Sequence, residues 1–237
     1  HSVGLLQGRT RTRRDHVMRE LRFGRKGPAK GEATGLVVFL HGYGADGADL
    51  LGLADVLGPH LPGVAFVAPD APERCVGGGF GHQWFPIPWI DGSPQAAADA
   101  GLAASAADLD GFLDACLAEE GLTPDRMVLV GFSQGAMISL HVAPRRPLAV
   151  AGVVAISGRL LQPDRLAREA QVKPPVLLVH GDQDAVVPFG DMAKAGEALV
   201  AAGFSTFGHV MQGSGHGIAP DGLGVALQFI TERLAKS

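Results

Sequence analysis

The sequence predicts an α/β protein in which helices cover both faces of a mostly parallel central sheet. Runs of consecutive apolar residues at 36–40, 64–68, 127–130 and 175–179 have the length and continuity of strands buried on both faces. Segments with helical apolar spacing alternate with these runs, and this alternation favours parallel strands joined by helical crossovers. The 34 glycines and 16 prolines supply the tight turns that so many short elements need.

The first quarter of the chain predicts an edge strand and then a buried one. Charged residues interleave with apolar ones at 17–23, which is typical of a short strand at the edge of a sheet. Residues 24–35 are rich in Gly and Lys and predict a loop. The buried strand at 36–40 then leads through a glycine-rich loop at 41–47 to a predicted helix at 48–57.

The rest of the chain continues the alternation of strands and helices. A long loop at 75–92 contains both tryptophans and is too rich in glycine and proline for regular structure. Apolar residues three or four positions apart predict a long helix at 95–120, which Gly121 ends. The remaining predicted elements are strand 127–130, an elbow helix that ends at Pro144, strand 149–157, helix 163–170, strand 175–179, helix 189–202, strand 204–211 and a final helix within 218–236.

Composition narrows the function classes. The formal net charge of −4 gives no sign of nucleic-acid binding. Nothing approaches the roughly 18 consecutive apolar residues of a membrane span, so we expect no stable membrane insertion. The two cysteines, Cys75 and Cys116, form no disulfide framework and fit a reducing compartment, which makes the cytoplasm the expected location.

The chain shows neither an internal repeat nor a linker. An apolar fraction of 46% suits one sizeable core, and we expect a single domain at 16–237. Arginines at positions 9, 11, 13 and 14, with no apolar run behind them, predict a flexible arm at 1–15 and not a secretory signal. A homodimer stays an open alternative, although no clear apolar stripe is left over to argue for it.

The segment 127–140 carries the strongest functional signal. An apolar run ends in the motif GFSQG at 131–135, and apolar residues at helical spacing follow. A sharp strand-to-helix turn with Ser133 at its apex is the setting of a nucleophile elbow, with glycines where a Cβ would clash. The alternative is an ordinary strand-to-helix turn with a capping serine.

A nucleophilic serine needs a base, and the base needs an acid that orients it. In this architecture both follow the serine along the chain, the acid first and the histidine second. His141 lies on the elbow helix, His180 comes before any acid at a later strand end, and His209 lies inside a predicted strand. His216 stands in a flexible glycine-rich loop after the last strand, and it is therefore the predicted base.

Two aspartates compete for the role of the acid. Asp182 and Asp184 both follow the strand at 175–179, and both could reach the carboxyl end of the sheet. An aspartate in such a turn often binds backbone N–H groups, a role that suits Asp182. The residues by themselves favour Asp184 as the acid only slightly.

Acyl transfer also needs N–H donors for the oxyanion that forms at the carbonyl. The backbone N–H of Gln134, directly after Ser133, is one predicted donor. The loop at 41–44 is predicted to supply the second, because its glycines let backbone N–H groups face inward. His41 in this loop is interpreted as a structural turn residue and not as a second base.

The tryptophan-containing loop predicts a contact with substrate. Trp84, Phe85, Ile87 and Trp89 are interpreted as an apolar lining for an acyl or aryl group. The alternative is that this loop covers part of the core, and the two interpretations are compatible.

Four motifs together resemble a known family. They are FLHGYGAD at 39–46, GFSQGA at 131–136, HGDQDAVVP at 180–188 and GHG at 215–217. In this order they resemble the phospholipase/carboxylesterase family of α/β-hydrolases, which includes bacterial carboxylesterases and acyl-protein thioesterases. The resemblance extends over about residues 36–236.

The resemblance implies a role for each site residue. Ser133 would be the nucleophile, Asp184 the acid and His216 the base, and the backbone amides of Tyr43 and Gln134 would form the oxyanion hole. The tryptophan-containing loop would lie beside the acyl pocket, and neither a metal nor a cofactor would be needed.

The sequence therefore predicts a serine carboxylesterase that acts on a small-molecule ester through an acyl-enzyme. Two alternatives stay open. Within enzymes, the substrate could be a lysophospholipid or an S-acylated protein, either of which needs a long apolar groove. In a different class, the chain could be an α/β-hydrolase that binds a ligand without catalysis.

Overall fold

The computed structural model describes residues 17–76 and 79–235, and seven strands of this part form one central sheet. The strands are β1 (Phe23–Lys26), β2 (Gly35–Leu40), β3 (Val64–Pro69), β4 (Glu73–Arg74), β5 (His82–Gln83), β6 (Met127–Phe132), β7 (Gly152–Ile156), β8 (Val176–Gly181) and β9 (Thr206–Met211). Their order in the sheet is β1-β3-β2-β6-β7-β8-β9, while β4 and β5 form a separate antiparallel pair. In the central sheet β1 runs antiparallel to β3 and the other pairs are parallel, so the predicted fold class is confirmed.

Helices pack on both faces of the sheet. They are α1 (Gly47–Leu51), α2 (Leu53–Leu57), α3 (Pro88–Asp91), α4 (Gln95–Glu120), α5 (Gln134–Val142), α6 (Pro163–Glu169), α7 (Gly190–Ala201) and α8 (Pro220–Leu234). One apolar cluster lies between the sheet and α4, α5, α6 and α7, and a second lies between the sheet and α1, α2 and α8. Along β2, Leu36 and Val38 enter the first cluster while Val37 and Phe39 enter the second, as the alternation of side chains along a strand requires.

The strand order places two loops side by side. The chain passes from β2 outward to β3 and later returns to β6 on the other side of β2, so the direction of winding changes between β2 and β6. Loops that leave the carboxyl ends of parallel strands at such a switch point border a crevice, where ligands bind in this class of fold. The loop at 41–46 follows β2 and Ser133 follows β6, and Leu40 pairs with Gly131 at the ends of these strands.

The predicted strand at 17–23 is wrong, although an edge strand does exist. The strand begins at Phe23 and continues to Lys26. The preceding residues do not pair with the sheet as a strand, because Arg19 turns to α4 instead. Its backbone N–H and its Nε donate to the two carboxylate oxygens of Asp108 at 2.7 and 2.9 Å. A local pattern of alternating charge does not reveal this long-range ion pair.

Two other elements differ from their predictions. The predicted helix at 48–57 is divided at Gly52 into α1 and α2, and glycine is a weak helix former. The loop at 75–92 holds β5 and the short helix α3. The Asp91 carboxylate stabilises this turn by accepting the N–H groups of Ile87 and Ser93 at 3.1 and 2.9 Å.

The long helix at 95–120 is confirmed, and Gly121 ends it with φ of 66°. The proposed arm at 1–15 lies outside the described residues, as does the last residue of the segment predicted for the final helix. Among the helices of residues 17–76 and 79–235, none combines the length and the apolar character that crossing a membrane requires.

Candidate active site

Ser133 occupies a strained turn between β6 and α5. Its backbone has φ of 56° and ψ of −116°, a conformation that non-glycine residues rarely adopt. A Cβ at Gly131 would overlap the carbonyl of Gly135, and a Cβ at Gly135 would overlap the carbonyl of Leu40. The steric role predicted for the two glycines is therefore confirmed, and the turn holds the serine hydroxyl at the carboxyl end of the sheet.

Ser133, His216 and Asp184 form a hydrogen-bonded chain. The Nε2 atom of His216 lies 3.0 Å from Ser133 Oγ, and its Nδ1 atom lies 2.7 Å from Asp184 Oδ2. Because the carboxylate accepts, Nδ1 carries the proton and the unprotonated Nε2 faces the serine hydroxyl. The ring of Phe132 packs against the imidazole with 4.9 Å between the ring centroids. This arrangement can take a proton from Ser133.

Asp184 is held as a buried anion. Its side chain has no exposed surface, and its Oδ1 accepts the backbone N–H groups of Val186 and Val187, both at 2.8 Å. Burial acts to raise the pKa of Asp184, but the hydrogen bonds from His216, Val187 and Val186 outweigh it and hold the pKa below its usual range. The carboxylate therefore stays charged while it orients His216.

The competing aspartate and histidines form hydrogen bonds with groups other than Ser133. Asp182 accepts the backbone N–H of Gly213 at 2.8 Å, which is the turn role expected for it. His180 Nε2 donates to the carbonyl of Val187 and also lies 3.4 Å from Asp184 Oδ2, so it borders the acid without reaching the serine. His209 pairs with Asp221 at 2.7 Å. Within the described residues, neither histidine bonds to Ser133.

His141 is buried on α5. Burial lowers the pKa of His141 to about 4, and the nearby charges of Arg145 and Arg165 act in the same direction. Its Nδ1 atom has no hydrogen-bond partner in the described part of the chain. This histidine is therefore a neutral core residue at neutral pH.

The two backbone N–H groups predicted to bind an oxyanion belong to segments that border Ser133. Gln134 is the first residue of α5, and the first N–H groups of a helix have no partner within it. The N–H of Tyr43 follows Gly42, and a Cβ at Gly42 would lie 3.2 Å from Ser133 Cβ, so this loop passes directly beside the serine. Neither N–H donates to a backbone carbonyl in the turns, loops and helix caps of residues 17–76 and 79–235. The position of the Gln134 N–H at the helix N-terminus further favours negative charge there.

The side chain of Gln134 is a site feature that the sequence did not reveal. It is fully buried, and its Oε1 accepts the N–H of Trp84 at 2.8 Å while its Nε2 donates to the carbonyl of Phe85 at 2.7 Å. The side-chain amide of the residue after Ser133 therefore bonds the backbone of the tryptophan-containing loop, as the backbone of a neighbouring strand would. No pattern in the sequence predicts this contact, because the two residues are 50 positions apart.

The predicted substrate-lining residues divide into buried and exposed ones. Trp84, Ile87 and Phe85 are buried, with 0%, 2% and 4% of their surface exposed, so all three belong to the core, whereas Trp89 is exposed. Phe85 and Trp89 border a small cavity of about 110 Å³, and the guanidinium of Arg159 stacks over Trp89 at 4.5 Å from the ring centroid. Trp84, which has no exposed surface, does not face a substrate in this structure. A lining role for Phe85, Ile87 and Trp89 stays a prediction, and of these three Trp89 is the one that is well exposed.

A second and larger cavity is also bordered by the tryptophan-containing loop. It measures about 470 Å³ and is bordered by Tyr43, Cys75, Phe80, Ile90 and further residues of this loop. Tyr43 lines this cavity, whereas Ser133, His216 and Asp184 do not. A still larger cavity of about 590 Å³ lies between α4 and β1, but no member of the Ser133–His216–Asp184 chain lines it. Within the described residues, no three His, Cys, Asp or Glu side chains converge as metal ligands do.

Comparison with known proteins agrees with this geometry. The chain is 31% identical over 220 residues to acyl-protein thioesterase 1 of Saccharomyces cerevisiae, a match that covers 84% of this chain and 92% of the relative. It is 29% identical over 223 residues to acyl-protein thioesterase 1 of Neurospora crassa, with 88% and 91% covered. The crystal structure of esterase PE8 superposes with a TM-score of 0.85 at 42% identity, and covers 91% of this chain and 100% of that one.

Residues 27–234 match the phospholipase/carboxylesterase family as a whole. This match extends through the glycine-rich loop, the elbow and the strand ends that hold Asp184 and His216. The chain therefore belongs to the phospholipase/carboxylesterase family of α/β-hydrolases.

Proposed function

We propose that this protein is a serine carboxylesterase that hydrolyses esters through an acyl-enzyme. The observation that carries the proposal is the chain of hydrogen bonds from Ser133 through His216 to Asp184, with 3.0 and 2.7 Å between the bonded atoms. Such a chain is needed to make a serine hydroxyl nucleophilic at neutral pH.

In the first half of the reaction, Ser133 Oγ attacks the ester carbonyl while His216 Nε2 takes the hydroxyl proton. The negative charge that forms on the carbonyl oxygen is held by the backbone N–H groups of Tyr43 and Gln134. Asp184 stabilises the imidazolium through Nδ1 and keeps it oriented. Nε2 then gives its proton to the leaving alcohol, and the acyl group stays on Ser133.

In the second half, water takes the place of the alcohol. His216 Nε2 removes a proton from this water, which attacks the acyl carbonyl to form a second oxyanion at the same donors. Collapse of that intermediate releases the carboxylic acid and returns the proton to Ser133 Oγ. The same steps would cleave a thioester, with a thiol as the leaving group.

A thioester or a lysophospholipid is the second candidate substrate. The two relatives named acyl-protein thioesterase 1 favour the thioester, since each aligns with more than four fifths of the chain. Esters and thioesters of the same acyl group would occupy the same acyl site and differ in the leaving group. Activity on matched substrates therefore separates the two.

The test uses p-nitrophenyl esters of increasing acyl length together with thioesters of the same acids. We expect Ser133→Ala to lower kcat by about 10⁴–10⁶-fold, because the nucleophile is lost. Ser139→Ala is the matched control, since Ser139 is also a buried serine and its hydroxyl bonds within α5 to the carbonyl of Ala136. The control should keep the activity of the wild type.

Each outcome has a distinct meaning. Preference for short esters supports the carboxylesterase, and preference for long acyl chains or thioesters supports the second candidate. A Ser133→Ala variant as active as the wild type would refute the assignment of the nucleophile. If the wild type turned over none of these substrates, a ligand-binding α/β-hydrolase without catalysis would replace both candidates.

We also propose a cytoplasmic location and keep the homodimer as a candidate assembly. The location is supported by Cys75 and Cys116, both of which are free thiols. The homodimer is supported by the edge strand β9, which exposes Phe207 and Val210. Sedimentation of the wild type and of Phe207→Lys would show whether this edge joins two copies.

A further inference from the structure

Three buried side chains connect the two oxyanion donors to each other. They are Gln134, Trp84 and His41, and all three are fully buried. The Gln134 side chain binds the backbone of Trp84 and Phe85, as described above. The indole Nε1–H of Trp84 then donates to the carbonyl oxygen of His41 at 2.9 Å. Trp84 is therefore bound on one side to the elbow and on the other to the loop after β2.

His41 continues this chain to the second donor. Its Nε2 accepts the backbone N–H of Ala71 at 2.9 Å, so the proton of the neutral ring is on Nδ1. Nδ1–H donates to the carbonyl oxygen of Gly42 at 2.7 Å. Burial lowers the pKa of His41, which favours the neutral ring, and the bond from the Ala71 N–H selects this tautomer.

The carbonyl of Gly42 and the N–H of Tyr43 belong to one peptide group. A peptide group is planar and trans, so its N–H points away from its carbonyl. Holding the oxygen of Gly42 therefore fixes the direction of the Tyr43 N–H. The carbonyl of His41, which Trp84 holds, belongs to the preceding peptide group and fixes the position of the loop itself.

We propose that Trp84 is a positioning residue that sets the separation of the Tyr43 and Gln134 N–H groups, and so acts on the transition state. This role rests on the proposed function. It replaces the interpretation of Trp84 as a substrate contact, because an indole with no exposed surface cannot touch an ester. Ser105 strengthens the arrangement, since its hydroxyl donates to the carbonyl of Trp84.

The role predicts a specific kinetic change. Trp84→Phe keeps an aromatic ring in the core but removes the Nε1–H donor, so the loop after β2 is free to shift. Displacement of a catalytic group by about 1 Å lowers the rate by about 10²-fold, and loss of one oxyanion donor by about 10²–10³-fold. We expect kcat to fall by about 10²-fold while KM changes by less than about 3-fold, since ground-state binding is not affected.

A transition-state analogue provides the second readout. A trifluoromethyl ketone adds to the serine and forms a tetrahedral oxyanion, whereas the matching methyl ketone binds as a neutral carbonyl. In Trp84→Phe, the inhibition constant of the trifluoromethyl ketone should rise by the same factor by which kcat/KM falls. The inhibition constant of the methyl ketone should not change. Gln134→Met is the second variant, because it removes both side-chain hydrogen bonds and retains the backbone N–H; the same pattern is expected.

A control for lost stability is Leu57→Ala. Leu57 is buried in the second apolar cluster, on the face of the sheet that lacks α5, and the variant should unfold at a lower temperature while keeping its kcat. The proposed role of Trp84 is overturned if Trp84→Phe and Gln134→Met resemble Leu57→Ala, with a lower midpoint of thermal unfolding and an unchanged kcat. It is also overturned if Trp84→Phe raises KM alone, because that result indicates a substrate contact. An inactive wild type would instead refute the proposed function, and this role with it.

Discussion

The buried histidine of α5 predicts that the protein loses stability in mild acid. His141 has an ordinary pKa of 6.5 in the unfolded chain and a pKa of about 4 in the folded protein. Burial is the main cause, and Arg145 and Arg165 add repulsion, while Glu169 acts in the opposite direction. We would replace His141 with leucine, which fills a similar volume and cannot be protonated.

The sign and size of the effect follow from the two pKa values. At a pH between the two pKa values, His141 binds a proton in the unfolded chain but not in the folded protein. The free energy of unfolding therefore falls as the pH falls. The full difference in pKa corresponds to a loss of about 3 kcal/mol in the free energy of unfolding. At a pH of about 5, where the unfolded state is largely protonated, the loss relative to neutral pH is about 2 kcal/mol.

The assay is urea unfolding of the wild type and His141→Leu at several values between about pH 7 and about pH 5. Other groups also titrate in this range, so the quantity of interest is the difference between the two proteins. It should change by about 2 kcal/mol in favour of the variant as the pH falls. His60 is exposed, and His60→Leu is the matched control that should keep the pH dependence of the wild type. Parallel curves for the wild type and His141→Leu would refute the reasoning.

Two further predictions concern the acid and the elbow. Asp184→Asn should lower kcat by about 10⁴-fold with p-nitrophenyl esters, because an amide N–H facing His216 favours the wrong tautomer; a loss of less than about 10-fold would contradict the role of the acid. Gly135→Ala should cost more than about 4 kcal/mol in chemical unfolding or prevent folding, since its Cβ overlaps the carbonyl of Leu40. Gly190→Ala, at a position with no atom within 4 Å of the added methyl group, should change stability by less than about 1 kcal/mol, and equal effects at the two glycines would refute the steric argument.

The fold could be predicted because its main signals are local. The strands β2, β6 and β8 are continuous apolar runs, since helices cover both faces of the sheet. The long helix α4 shows its apolar spacing over 26 residues and ends at a glycine. The failure at 17–23 has the opposite cause. Arg19 binds Asp108 across 89 positions of the chain, and no local pattern contains that information.

The elbow was predictable for a similar reason. Strand, turn and helix are contiguous at 127–142, and Gly131 is needed because a Cβ there would overlap the backbone of Gly135 in the same turn. The requirement for Gly135 comes from a distant part of the chain, the carbonyl of Leu40 at the end of β2. The sequence could also limit the base and the acid to a few candidates, because they must follow the nucleophile at strand ends. It could not separate Asp182 from Asp184 by more than a slight preference, since both stand in the same turn.

By itself the sequence determined the α/β class, the elbow with Ser133 at its apex and the small set of polar residues that could serve it. Each of these depends on short-range spacing and backbone sterics. Tertiary structure decided that His216 meets Ser133 across 83 positions, that Asp184 and not Asp182 faces the imidazole, and that Trp84 points into the core. These outcomes depend on which distant segments pack together, because the direction of a side chain is set by the neighbours that surround it.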